Sequence, residues 1–110
     1  MARSKAHLFK PDESKLAQLA KAISHPARIA VLKKLSKQAE CLCGEIVEVM
    51  PLAQATVSQH LKELKSAGFI SGEIEGPKSC YCLDLRNIDE FAHRINTLIQ
   101  SLKENQQKCC

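Results

Sequence analysis

Residues 53–70 read Ala53-Gln54-Ala55-Thr56-Val57-Ser58-Gln59-His60-Leu61-Lys62-Glu63-Leu64-Lys65-Ser66-Ala67-Gly68-Phe69-Ile70. Val57, Leu61 and Leu64 fall at i, i+4 and i+7, one narrow apolar seam along a helix. Gln54, Thr56, Ser58, Gln59 and Lys62 lie largely off that seam. Gly68 follows the last periodic residue and suits the left-handed turn that closes a helix. The spacing predicts a helix over 53–66 with one apolar edge and a polar face.

Working outward, Glu45-Ile46-Val47-Glu48-Val49-Met50 is apolar-periodic and Pro51 stops it. A short helix over 45–50 is expected, with Cys41 and Cys43 on its leading edge. Further upstream, Pro11-Asp12-Glu13 starts a helix whose Leu16, Leu19, Ala20 and Ile23 share a face. Ser24-His25-Pro26 breaks and restarts the chain. Ser24 or His25 caps, Pro26 suits the first turn, and Ile29, Val31, Leu32 and Leu35 supply the next apolar face.

Downstream, Ile70 and Ile74 fall at even spacing, and residues 75–78 carry turn chemistry. Residues 79–85 alternate, with Tyr81, Leu83 and Leu85 on one side and Cys80, Cys82 and Asp84 on the other. A β-hairpin is expected. The last helix begins near Asn87 and repeats Ile88, Phe91, Ile95, Leu98 and Leu102 at 3,4,3,4 spacing. So long a stripe in so small a domain points to pairing with a second subunit.

The chain has 110 residues, 45% apolar and 25% charged, which fits one globular domain and excludes wholesale disorder. Residues 1–10 read as a flexible basic arm, 11–104 as the folded domain, and 105–110 as a flexible tail holding Cys109 and Cys110. No apolar run reaches the roughly 20 residues of a membrane helix. No apolar stretch follows the basic N-terminus, so no signal peptide and a cytoplasmic location are expected. With no Trp, one Tyr and three Phe, aromatic base-stacking platforms are improbable. The net charge is +4, and residues 1–37 hold nine Lys/Arg against two Asp/Glu. Such a surplus permits contact with nucleic acid.

Six cysteines fall in three close pairs: Cys41 with Cys43, Cys80 with Cys82, and Cys109 with Cys110. Without a secretory signal, such pairs point to metal binding or redox chemistry rather than a disulfide framework. Soft thiolates favour soft, thiophilic ions. Cys41 and Cys43 converge only if the backbone departs from ideal helix, because i and i+2 diverge by about 200°. The adjacent Gly44 permits that departure.

The order helix, helix, short helix, polar-faced helix, hairpin, helix predicts a mainly α (α+β) winged helix-turn-helix with a two-stranded hairpin wing. Short polar side chains near the start of a helix reach base edges in the major groove. The expected DNA-binding set is Gln54, Thr56, Ser58, Gln59, His60, Lys62, Lys65 and Lys78, with Arg28 assisting. The lysines hold phosphates, which sets register rather than sequence. Double-stranded operator DNA is the expected partner, and no membrane is.

Two stretches carry a family resemblance. Leu19-Ala20-Lys21-Ala22-Ile23-Ser24-His25-Pro26-Ala27-Arg28-Ile29-Ala30-Val31-Leu32 resembles the opening of the ArsR/SmtB family of metal-responsive repressors. Residues 55–70 resemble that family's recognition helix and the start of its wing, and the match extends over roughly residues 14–104. It implies a homodimer paired through the first and last helices and released from its operator by an inducer. Cys41-Leu42-Cys43 is similar to the cysteine pair by which arsenic-responsive members hold trivalent arsenic, as arsenite or an organoarsenical. No organic cofactor is implied. Two departures stand out. Gly44 separates the pair from Glu45-Ile46, and Ile46 stands where some members carry a third Cys. A third thiolate would come from Cys80 or Cys82, from Cys109 or Cys110, or from another subunit.

Other chemistries fit the same scaffold. Oxidation of a cysteine pair would make it a thiol redox sensor. A divalent-metal sensor of this family pairs Asp and His ligands on the last helix, and here only Asp89 and His93 stand there. A structural zinc module is a poor match, because C-x-C departs from the usual C-x2-4-C spacing. An enzyme is the least favoured reading. There is no phosphate loop and no dinucleotide fingerprint, and Ser58 and His60 face different ways on one helix.

Overall fold

The computed structural model describes residues 8–37, 42–43, 52–72 and 80–106. Among these, α1 (Pro11–Ala22), α2 (Pro26–Ser36), β1 (Leu42–Cys43), α3 (Gln54–Ser66), β2 (Ile70–Gly72), β3 (Cys80–Leu83) and α4 (Leu85–Glu104) follow in chain order. The short helix expected over 45–50, the turn at 75–78 with Lys78, and the tail cysteines lie outside the described residues.

Three of the four described helices have a local cause for their start. Pro11 opens α1, and Glu13 behind it accepts a hydrogen bond from the Lys10 amide at 3.1 Å. His25 caps α2 by accepting from the Ala27 amide at Nδ1, 3.0 Å away, and Pro26 takes the first turn. Asp84 caps α4 by accepting from the Asn87 amide at 3.3 Å. The helix therefore begins at Leu85, two residues ahead of the expected start. The chain leaves α3 through paired bonds from Gly68 N to Lys65 O and Phe69 N to Leu64 O, both 3.0 Å. Gly68 takes φ +90 there, as the seam's end predicted.

The core holds Leu19 and Ala22 of α1, Val31 and Leu35 of α2, and Val57, Leu61 and Leu64 of α3, with Phe69, Ile70 and Tyr81 behind them. The predicted seam of α3 is at most 1% exposed at all three positions. Phe69 meets Phe91 of α4 edge-on, with ring centroids 5.4 Å apart. On α2 the core face is turned from the expected one. At 100° per residue, Arg28, Val31, Leu32 and Leu35 share an arc of about 100°, and Ile29 falls about 60° beyond its edge. Ile29 is accordingly 46% exposed.

The hairpin is part of a larger sheet than expected. Three antiparallel strands lie in the order β1-β3-β2. Leu42 and Cys43 pair with Tyr81 and Cys80, while Ile70, Ser71 and Gly72 pair with Leu83, Cys82 and Tyr81. The expected leading edge of a helix is therefore strand backbone at residues 42–43. On α4 no residue is fully buried. Ile88 and Phe91 pack half-buried against the core. Leu98, Ile99 and Leu102 further along are 40%, 39% and 60% exposed.

Gly72 fixes how closely β2 approaches β3. It has φ +130, and a Cβ there would lie 1.9 Å from the Cys80 carbonyl oxygen, where no flexible side chain can yield. At Gly68 the obstacle is the movable side chain of Asn87, 2.9 Å away. Gly72→Ala should destabilise by about 1–3 kcal/mol or more and lower Tm further than Gly68→Ala. Thermal unfolding of the two variants checks the order.

Candidate functional site

The seam that anchors α3 decides what it presents to solvent. With Val57, Leu61 and Leu64 inward, positions 55, 59, 62 and 66 lie on the opposite side of the helix. Ala55, Thr56, Gln59, Lys62, Glu63, Lys65 and Ser66 are exposed, and Ser58 on the flank is half-buried. Gln59 donates to Glu63 Oε1 at 3.1 Å, one turn along the same face. Ala53 caps the helix without a side-chain hydrogen bond.

His60 does not share that face. It lies at i+3 from Val57 and is only 7% exposed. Its Nδ1 accepts a hydrogen bond from Arg28 Nε at 3.1 Å, and its ring sits 4.5 Å from that of His25. The expectation that His60 reaches DNA is corrected by this burial: it joins α3 to α2. Arg28 is corrected with it. Its Nη1 donates to the carbonyls of Ala22 at 3.2 Å and Lys21 at 3.4 Å, the last turn of α1. One guanidinium therefore holds the end of α1, its own helix and the inward imidazole of α3. The signal for both was in the sequence. Arg28 is i−3 from Val31, and His60 is i−4 from Leu64.

The cysteines come together through the sheet. Cys43 stands opposite Cys80 in the β1–β3 register, and Cys82 is two residues further along β3. Tyr81 between them points to the core at 4% exposure, so Cys80 and Cys82 occupy the other face, half-buried. Both are disulfide-bonded. The sequence pointed to metal binding or redox chemistry rather than a disulfide framework, and at these two positions the cysteines are bonded. Cys41 lies outside the described residues. Among the described residues no group of three His, Cys, Asp or Glu side chains forms a metal-binding cluster. Asp89 and His93 are exposed on α4. His93 lines a cleft of about 510 Å³ between α1 and α4 with Lys10, Glu13, Leu16, Glu90 and Leu98. No described helix is long and apolar enough to cross a membrane.

Comparison with known proteins follows this geometry. Residues 25–71 match the family model described as bacterial regulatory protein, arsR family. An HTH-type transcriptional repressor SmtB of Mycobacterium tuberculosis is 39% identical over 66 residues, 60% of this chain. The match spans 48% of that relative, about half its length. An HTH-type transcriptional regulator of Methanocaldococcus jannaschii is 32% identical over 80% of this chain and 94% of its own. An arsenical resistance operon repressor of Staphylococcus xylosus is 29% identical over 86% of both chains. Two solved structures share the fold. An ArsR family regulator has TM-score 0.71 at 19% identity, covering 97% of this chain and 100% of its own. A homodimeric winged helix-turn-helix domain of Mycobacterium bovis has TM-score 0.60 at 22% identity, covering 99% of this chain and 97% of its own.

The Arg28–His60 link makes the α2–α3 junction sensitive to acid. Burial chiefly, then the neighbouring His25 and Arg28, holds the His60 pKa below the ordinary histidine value. The folded state therefore binds the His60 proton less readily than the unfolded chain does. Stability from this group is complete above pH of about 6.5. It falls as pH drops below that, through the lowered pKa of the folded form. His60→Gln removes the titration, so Tm between pH 7 and 5 should decline less steeply than in the parent. Equal slopes in the two proteins would disprove this role for His60.

Proposed function

The chain belongs to the ArsR family of helix-turn-helix transcriptional regulators, and from that premise we propose that it is a homodimeric repressor whose operator complex is released by trivalent arsenic or a related thiophilic metalloid. The observation that carries the inducer class is the β1–β3 register, in which the backbone of Cys43 stands opposite Cys80. The Staphylococcus xylosus relative supports it as an arsenical resistance operon repressor.

The exposed face of α3 suits DNA reading. Gln59 offers a bidentate donor–acceptor pair for a base edge, and Thr56 offers a hydroxyl. Lys62 and Lys65 flank them as phosphate contacts. Gln54 precedes them on the first turn, and Lys78 belongs to the same proposal on sequence grounds. The half-exposed stripe Leu98-Ile99-Leu102 on α4 needs a cover, and a second copy supplies one. The Mycobacterium bovis structure is homodimeric. A dimer presents two α3 helices, which a two-fold operator with half-sites about 34 Å apart requires.

Cys41 and Cys43 would hold the inducer, with Cys80 or Cys82 as the third thiolate. The donor set fits in its reduced form: trivalent arsenic is a soft centre that exchanges oxygen ligands for thiolates. Ligation at β1 would act on the chain that runs into α3 and on the strand that forms the wing. A 100-fold loss of operator affinity requires about 2.7 kcal/mol of coupling between the two sites.

Fluorescence anisotropy on the protein's own promoter, with and without arsenite, tests the reading. Arsenite should dissociate the reduced protein, while Cys41→Ser and Cys43→Ser should bind the promoter normally and no longer respond. A response that survives in both variants would exclude the cysteine site. The DNA face has its own check. Gln59→Ala should cost about 1–3 kcal/mol on cognate DNA and relax base preference. Lys62→Ala should weaken all sequences alike and reduce the salt slope by about one unit. Equal losses on cognate and random DNA for Gln59→Ala would remove it from base reading.

A further inference from the structure

Building on the base-reading role proposed above for Gln59, we infer that Glu63 sets which base Gln59 reads. By taking one amide hydrogen of Gln59 it turns that side chain's carbonyl oxygen outward, so the pair selects adenine and refuses guanine.

Thr56, Gln59 and Glu63 lie within about 60° of one another around α3, away from the buried seam. All three are exposed. The face cannot roll, because Val57, Leu61 and Leu64 sit in the core and His60 is held by Arg28. Gln59 Nε2 donates to Glu63 Oε1 at 3.1 Å. Chemistry fixes the sense of this bond. A carboxylate only accepts, whereas an amide has one donor end and one acceptor end. Turning the Gln59 amide over would set its oxygen against the carboxylate, two acceptors with no proton between them. In open water such a surface pair holds a side chain weakly. In a groove from which water is displaced, the unpaired acceptors would carry their full desolvation cost, and the preference becomes firm.

With one Nε2 hydrogen given to Glu63, the edge that Gln59 presents holds Oε1 and the second N–H. The four bases answer that edge differently in the major groove. Adenine offers its N6 amino group as donor and N7 as acceptor, and so matches both. Cytosine offers a donor only, and thymine an acceptor only. Guanine offers two acceptors, N7 and O6. To meet guanine, Gln59 would have to present both N–H groups, which breaks the bond to Glu63, or leave Oε1 facing O6.

A carboxylate on this face costs affinity on every sequence, because it repels phosphates. Lys62 and Lys65 on the same helix oppose that repulsion. So do Lys21 and Arg28, which line with Glu63 a recess of about 280 Å³. Glu63 thus contributes discrimination rather than affinity.

A duplex from the protein's own promoter is remade with each base pair changed in turn, and binding is followed by anisotropy at fixed salt. Gln59→Ala locates the base pair that Gln59 reads, the one where its preference disappears. At that pair the parent should bind adenine over guanine by at least about fivefold. Glu63→Gln places there an amide that both donates and accepts, so the ratio should fall to about twofold or less. Glu63→Asp still only accepts, at a spacing where Gln–Asp pairs form on helices, and should keep a ratio nearer the parent's. Glu63→Gln should also bind every duplex more tightly, having lost a negative charge, and the ratio cancels that gain. Glu63 is exposed, so neither substitution touches the core. A parent that prefers guanine at that pair, a full ratio retained in Glu63→Gln, or a ratio lost equally in both Glu63 variants would overturn the assignment. If Gln59→Ala alters no base preference, the base-reading role of Gln59 fails and that of Glu63 with it. If Gln59→Ala does alter it and Glu63→Gln does not, Gln59 stands as the reader and Glu63 has no part in the choice.

Discussion

A single guanidinium sets the geometry on which the rest of the molecule depends. Arg28 lies on the inward face of α2, where a cation needs partners for its donors. It finds them in the last carbonyls of α1 and in the Nδ1 of His60. The hydrogen bond to His60 requires that imidazole to be neutral and protonated at Nε2, and burial holds it so. Three helices are thereby fixed at one point, while the seam of Val57, Leu61 and Leu64 fixes α3 along its length. The outward face of α3 is the complement of those two constraints. Its exposed Gln59 and Lys62 point where they do because His60 and Leu61 point the other way.

The helices were legible in the sequence because each carries its own local signals. Pro11 and Pro26 mark starts, His25 supplies a cap, and Gly68 supplies an end that both paired hydrogen bonds confirm. The winged architecture followed from the order of elements. The phase of α2 was harder to read. Ile29, Leu32 and Leu35 make a plausible stripe by hydrophobicity alone, and counting a charged residue as inward runs against the usual price of burial. Arg28 is inward because its charge is matched by carbonyls of a preceding helix, a tertiary fact that no window of α2 contains. His60 escaped notice for a related reason. It lies beside the seam at i+3 from Val57, and a polar residue there reads as surface until its partner is known.

The third strand belongs to the same class. Two residues, Leu42 and Cys43, are too few to show a period. What places them is the partner strand, nearly forty residues later, whose alternation was visible. Pairing across that separation joins the segment leading toward α3 to the strand of the wing. Gly72 then lets β2 close against the same strand from the other side. β3 is consequently the central strand of this sheet, and a change at its cysteines bears on both neighbours.

On the proposed reading, this arrangement bears on how a small ligand at the sheet could act on the orientation of α3. The outer face of β3 and the outward face of α3 do not share residues, so direct competition for one surface is excluded. Coupling has to pass through elements with two arrangements. The core offers little freedom, since Leu61 and Leu64 are almost fully buried and Arg28 ties the helix ends. The freer element is α4, which follows β3 after Asp84 and has no fully buried residue. Ile88 and Phe91 near its start pack against the core, and Leu98, Ile99 and Leu102 beyond them are exposed. A small displacement of β3 at Leu83 would be carried by the Asp84 cap into the axis of α4, where a 20-residue helix is a long lever. In the proposed homodimer joined through that helix, the quantity altered would be the spacing of the two α3 helices rather than the shape of either one. On the proposed reading, operator binding would depend steeply on that spacing, so a shift that costs each protomer little would cost the complex a great deal.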